Sequence, residues 1–179
     1  MLNFMKSCKA GKTLMQILFF FLLLTEICLA QWFWQNPLPQ GNYLCDVDFI
    51  SPSVGWTVGW AGTILKTTDS GTSWVQQSSG TTEPLLAVSF TDMNNGWAVG
   101  YNGTILRTTN GGTNWTLQFS GTYNTLSSVS FTDENNGTAI GGDFFSGPGT
   151  ILRTTNGGTN WTDQSGGITN TLWGGGVSR

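Results

Sequence analysis

The stretch "GTILRTTNGGTNWT" occupies Gly103–Thr116 and returns letter for letter at Gly149–Thr162. A looser copy, "GTILKTTDSGTSWV", stands at Gly62–Val75. Tryptophan among asparagine, threonine and glycine suits a sugar-binding groove, and it equally suits a tight hairpin. The fixed offsets decide between them. In "TTDSGTSW" (Thr67–Trp74) a hydroxyl residue is followed two places on by Asp, four on by Gly and seven on by Trp. Thr108–Trp115 and Thr154–Trp161 run the same way with Asn in place of Asp. A short carboxylate or amide (Asp69, Asn110, Asn156) accepts hydrogen bonds from turn N–H groups. The glycine (Gly71, Gly112, Gly158) takes a backbone conformation that Cβ disfavours. The indole (Trp74, Trp115, Trp161) then folds back beneath the turn. A sugar site needs exposed indoles but does not need the recurring Gly and Asp/Asn, so the motif is read as a structural hairpin.

Around the hairpin lies a larger repeat. "LCDVDFISPSVGWTVG" (Leu44–Gly59), "LLAVSFTDMNNGWAVG" (Leu85–Gly100) and "LSSVSFTDENNGTAIG" (Leu126–Gly141) align without a gap. Phe49, Phe90 and Phe131 recur at intervals of 41 residues. The hairpin tryptophans are 41 and then 46 apart, because "GGDFFSGPGT" (Gly141–Thr150) carries five extra residues. Each repeat holds four short β-runs: in the second, "LLAVSF", "GWAVG", "TILRTT" and "WTLQFS", separated by "NNG", "YNG" and "NGG". Asn-Gly pairs supply the positive φ angles of tight hairpins. Four antiparallel strands per forty-odd residues make a β-propeller blade; a β-sandwich of hairpins is the alternative. The expected fold is therefore all-β, a propeller of four-stranded antiparallel blades with about 41 residues per blade. Blade 1 is expected at 44–84, blade 2 at 85–125 and blade 3 with its loop insertion at 126–171, with the start of a fourth at 172–179 after a lead-in at 31–43. Propellers close with four to eight blades, so the ring is expected to be incomplete. Association of partial rings, or an open arc with exposed strand edges, is the alternative to an incomplete chain.

Residues 1–30 read as a secretory signal peptide: Lys6, Lys9 and Lys12, then the apolar "LMQILFFFLLL", then "CLA" ending at Ala30. No later segment is apolar enough to span a membrane, so an exported protein is expected, in the periplasm, at the cell surface or beyond. Past Ala30 there remain four basic and nine acidic side chains, a balance that argues against a nucleic-acid partner. Cys45 is then the one thiol, and there is no histidine. An internal disulfide is excluded, and with His goes the commonest general base and metal ligand. No cofactor or metal site is expected. "TDMNNG" (Thr91–Gly96) and "TDENNG" (Thr132–Gly137) lack the alternating ligands and distal Glu of a calcium loop and read as turns.

With these residues in hand, the repeat resembles that of the photosystem II assembly and stability factor family, a group of Asp-box (BNR-repeat) propellers. The resemblance covers Leu44 to about Leu172. It implies a non-catalytic scaffold that binds a protein partner, such as a membrane-protein assembly intermediate, and a role in photosynthesis. The chain departs from the pattern at Thr138, which replaces the Trp of the "GW" pair, and in its insertion. Asp boxes also occur in sialidase-like exo-glycosidases, which need an arginine cluster, a Tyr–Glu pair and an acid/base Asp. Glu83 and Glu134, with Tyr43, Tyr101 and Tyr123, form no dedicated pair in the sequence, and no catalytic residue is assigned. A secreted repeat module that binds glycans is the second alternative. Two features are candidate partner contacts: Lys66, Arg107 and Arg153, one cation per blade, and Phe144 with Phe145 in the insertion.

Overall fold

The structure is a computed structural model, and it describes residues 41–143 and 147–174. Among the described residues, twelve strands form three separate four-stranded antiparallel sheets, each a simple meander. Sheet one holds β1 (Leu44–Phe49), β2 (Gly55–Gly59), β3 (Thr63–Thr67) and β4 (Val75–Gln77). Sheet two holds β5 (Leu85–Phe90), β6 (Gly96–Gly100), β7 (Ile105–Thr108) and β8 (Thr116–Gln118). Sheet three holds β9 (Thr125–Phe131), β10 (Gly137–Gly142), β11 (Gly149–Thr154) and β12 (Thr162–Asp163). These are three blades of an incomplete β-propeller. The first strands β1, β5 and β9 lie in contact across successive blades.

The core is split by interface rather than by sheet. Between blades 1 and 2 it comprises Trp56, Val58, Ile64, Leu85, Val88 and Phe90 with their neighbours. Between blades 2 and 3 the same repeat positions appear as Trp97, Val99, Ile105, Leu126, Val129 and Phe131. Second strands such as β6 are buried along their whole length, since both faces of the blade meet apolar surface. Their runs of apolar residues therefore lack strand alternation. Gly100, at the end of β6, shows how tightly the chain doubles back: a Cβ there would lie 2.0 Å from the Pro84 carbonyl oxygen.

The fourth strands are shorter than the β-runs in the sequence suggest. Trp115 leaves the ladder to pack against Phe90, and Ser120 Oγ turns to the Thr122 carbonyl, which leaves Thr116–Gln118 as strand. Of the three breaks, "YNG" and "NGG" take positive φ, at Asn102, Gly103, Gly111 and Gly112. "NNG" does not. There the Asp92 carboxylate makes the turn by accepting from the N–H groups of Asn94 and Asn95, and Gly96 lies against the Phe90 ring, where a Cβ would come within 2.3 Å. Asn-Gly in that position reflects crowding, not hairpin geometry.

Candidate functional site: Asp boxes and the blade interfaces

Each hairpin between the third and fourth strands is built around a buried threonine hydroxyl. Thr108 Oγ1 donates to Asn110 Oδ1 at 3.0 Å and accepts from the Gly112 N–H at 2.8 Å. Asn110 Oδ1 also accepts from the Asn114 N–H at 2.9 Å. Thr154, Asn156, Gly158 and Asn160 repeat the pattern, as do Thr67, Asp69, Gly71 and Ser73. The indoles of Trp74, Trp115 and Trp161 sit half-buried. They stand edge-on to Phe49, Phe90 and Phe131 at 6.1, 5.9 and 5.9 Å between ring centres.

Asp69 differs from its counterparts in carrying a charge. The Ser73 hydroxyl and N–H and the Thr67 hydroxyl all donate to it and hold its carboxyl below the usual range. In the "TD" turns, Asn95 and Asn136 do the same for Asp92 and Asp133. A carboxyl with a depressed folded-state pKa contributes stability above its unfolded value, about 3.9 for Asp, and loses it as pH falls through the folded value. Stability should therefore drop on acidification below about pH 4. Because Asn110 and Asn156 do not titrate, Asp69→Asn should flatten part of that drop and leave the share due to Asp92, Asp133 and Asp163, the last held down by the Ser165 hydroxyl and N–H. Urea midpoints measured between about pH 5 and pH 2 test this; an unchanged pH profile would refute it. Asp46 shifts the other way, raised chiefly by burial, while its carboxylate accepts from the Val88 and Val47 N–H groups.

The blades are latched together by the Asp boxes. Trp56 stacks on Phe90 of the next blade at 3.6 Å, and Trp97 stacks on Phe131 at 3.5 Å. Three donors of blade 1 converge on one carbonyl of blade 2. Trp56 Nε1, Lys66 Nζ and Gln77 Nε2 lie 3.2, 3.1 and 3.4 Å from the Gly111 oxygen. At the next interface Trp97 Nε1 and Gln118 Nε2 reach the Gly157 oxygen at 3.0 and 3.4 Å. The cations cover the stacked indoles, Lys66 Nζ at 4.9 Å from the Trp56 ring centre and Arg107 Cζ at 5.5 Å from that of Trp97. Lys66 and Arg107 are thus half-buried parts of the blade interfaces, whereas Arg153 is exposed. Phe144 and Phe145 lie outside the described residues.

Sequence reasoning passed over two features. One is the glutamine at a repeat-equivalent place in each blade, Gln77, Gln118 and Gln164, whose recurrence was the available signal. The other is a ridge of aromatic side chains at one end of the blades. Tyr43 meets Trp60 edge-on at 6.2 Å, and Trp60 meets Tyr101 at 6.4 Å with the planes tilted by 56°. Trp60 and Tyr101 open the short turns that link second and third strands. A groove of about 630 Å³ lies along the first strands, lined by Asp46, Asp48, Ser89, Ser128 and Ser130 among others. Among the described residues no group of three metal-ligating side chains comes together.

Successive four-stranded meanders closed by Thr-x-Asp/Asn-x-Gly hairpins define a β-propeller of the Asp-box class. Within it, the chain belongs to the family described as photosynthesis system II assembly factor YCF48, whose family model matches residues 73–167. Among solved structures it is similar to "YCF48 bound to D1 peptide", with 27% identity and a TM-score of 0.60 over 73% of this chain and 45% of that one. It is likewise similar to YCF48 from Cyanidioschyzon merolae, with 28% identity and a TM-score of 0.60 over 78% of this chain and 44% of that one. The chain spans under half the length of either relative. No curated protein matches it.

Proposed function

We propose that this chain is a non-catalytic propeller scaffold that acts outside the cytoplasm and holds a segment of a protein partner, as in photosystem II assembly. The family supports the reading, as does a relative solved with a D1 peptide bound. The signal-peptide pattern of residues 1–30 supports the location. The observation that carries partner binding is the ridge of Tyr43, Trp60 and Tyr101. Tyr43 and Trp60 are large aromatic side chains left exposed at a blade end, and interface hot spots are enriched in such residues. Arg153 is the one member of the cation series left exposed for a partner carboxylate.

The ridge fits a peptide better than a glycan strip. Sugar rings stack on aromatic faces laid in a common plane, whereas these rings meet at 71° and 56°. Titration of the purified chain with a synthetic D1 peptide should show saturable binding. Tyr43→Ala with Trp60→Ala should weaken it at least about tenfold, the equivalent of roughly 1.4 kcal/mol. Both side chains are exposed, so the unfolding midpoint should hold. Unchanged affinity in the double variant would remove the ridge from the site. No binding by the wild-type chain, or glycan-array binding in its place, would overturn the peptide reading.

A further inference from the structure

The outer strands of the three blades can be compared place by place, and one of them differs. Blade 2 carries Leu117, Phe119 and Tyr123 where blade 1 has Gln76, Ser78 and Thr82 and blade 3 has Asp163, Ser165 and Thr169. All three are open to solvent, at 67%, 87% and 91%. A single exposed apolar side chain is ordinary. Three in one repeat, each polar in both sister blades, are not something the blade itself requires.

Their placement shows what they border. Among the described residues β8 pairs with β7 alone, so its other backbone edge is free. Leu117 lies opposite Leu106, part of the core between blades 1 and 2, and Trp115 packs on that same core. Leu117 and Phe119 follow Trp115 at the two-residue spacing that keeps side chains on one face, while Gln118 between them reaches toward blade 3. An apolar stripe thus runs from the buried interface out to the perimeter. Exposed Val75 borders the same gap from blade 1, since it opposes Lys66, whose amine reaches blade 2. The gap between blades 2 and 3 is bordered instead by Thr116, Asp163 and Ser165. No charged side chain occurs in 75–82 or 116–124. Blade 2 has a neighbour on each side, so blades added at either end of the row leave this edge as it is.

Proteins ordinarily blunt a free strand edge with charged or polar side chains; blade 2 does the reverse. We infer that its outer edge is a second docking surface, which takes an extended, uncharged apolar segment of a protein partner as an added strand on β8. The segment pairs its backbone with the free edge and lays alternate side chains on Leu117 and Phe119. The Asn124 carbonyl accepts from the Gly103 N–H, which sets Tyr123 beside the turn that Tyr101 opens. A segment leaving β8 at that end therefore arrives at the aromatic ridge. A free backbone edge beside an uncharged stripe suits a polypeptide, not an anionic bilayer, which would call for basic side chains. The edge is a separate surface and stands whether or not the ridge binds.

The sister blades supply the test. Leu117→Gln with Phe119→Ser gives blade 2 the residues that blade 1 already holds at those places, so the unfolding midpoint should hold. The probe is a capped, dye-labelled, uncharged peptide of about six residues, with leucine and phenylalanine alternating with threonine. Fluorescence anisotropy should show saturable binding to the natural chain, weakened at least about tenfold in the double variant. Full N-methylation of the peptide removes its ladder donors and should abolish binding, while Tyr43→Ala with Trp60→Ala should leave it unchanged. Absence of binding, equal affinity in the Leu117 and Phe119 variant, or equal affinity for the methylated peptide would overturn the inference. So would flotation with phosphatidylcholine vesicles that depends on Leu117 and Phe119, since the patch would then be a membrane contact. Self-association of the natural chain, lost in the double variant, would likewise overturn it by making the occupant a second copy.

Discussion

Replacing Trp97 with alanine should destabilise the protein by about 3–5 kcal/mol, the range for deleting a fully buried aromatic side chain. No part of Trp97 is exposed. Its ring lies on Phe131 at 3.5 Å with the planes 6° apart, and its N–H reaches the Gly157 oxygen at 3.0 Å. Truncation removes all of this at once and opens a cavity between blades 2 and 3. It also strips the aromatic face from Arg107, whose Nε is buried without a hydrogen-bond partner. Trp97→Phe keeps most of the apolar surface and deletes the N–H donor, so about 1–2 kcal/mol is expected. Chemical denaturation followed by near-UV circular dichroism measures both. Trp60→Ala, at the exposed ridge, should stay within about 0.5 kcal/mol as surface changes do. If Trp97→Ala cost no more than Trp60→Ala, the interfaces would not be where the stability resides.

The second large effect separates two glycines with the same backbone. Gly71 and Gly112 have φ of 81° and 88°, and alanine at either pays the left-handed penalty of about 1–2 kcal/mol. At Gly71 that is the whole expected cost. At Gly112 the new methyl also strikes the Gln77 amide, and overpacking adds about 1–3 kcal/mol. The excess belongs to a contact between two residues, so it should vanish in a Gln77→Ala background, where Gly112→Ala falls to the cost of Gly71→Ala. A double-mutant cycle isolates that coupling. Equal costs at the two glycines in the natural chain would show that the glutamine does not read the hairpin.

These expectations could not have been framed from the repeat alone. The hairpin was legible because its cause is local: Thr108, Asn110, Gly112 and Asn114 lie within seven residues and bond to one another. The four-stranded antiparallel unit and its strand order were legible for a related reason, since a meander joins neighbours in sequence by short turns. The cations were harder. Lys66, Arg107 and Arg153 hold equivalent places in the repeat and suggested one charged arc, yet Lys66 and Arg107 are drawn into blade interfaces while Arg153 stays exposed. What separates them is the presence of a following blade with its Asp-box carbonyl, 45 residues away in the case of Lys66 and Gly111. Gln77 and Gln118 escaped notice because glutamine on a short outer strand looks like solvated surface until the next blade is set against it.

The sequence by itself determined the unit: an Asp-box hairpin, a four-stranded meander, an apolar second strand and a period of 41 residues. Each of these follows from contacts made within one repeat. Only the tertiary structure decided what the repeats do to one another: which tryptophan is stacked and which cation is covered. The reason is that one blade is too thin to bury its own aromatic side chains. Their energy is realised at interfaces between residues about 34 to 60 positions apart, and no local pattern encodes which partner will be there.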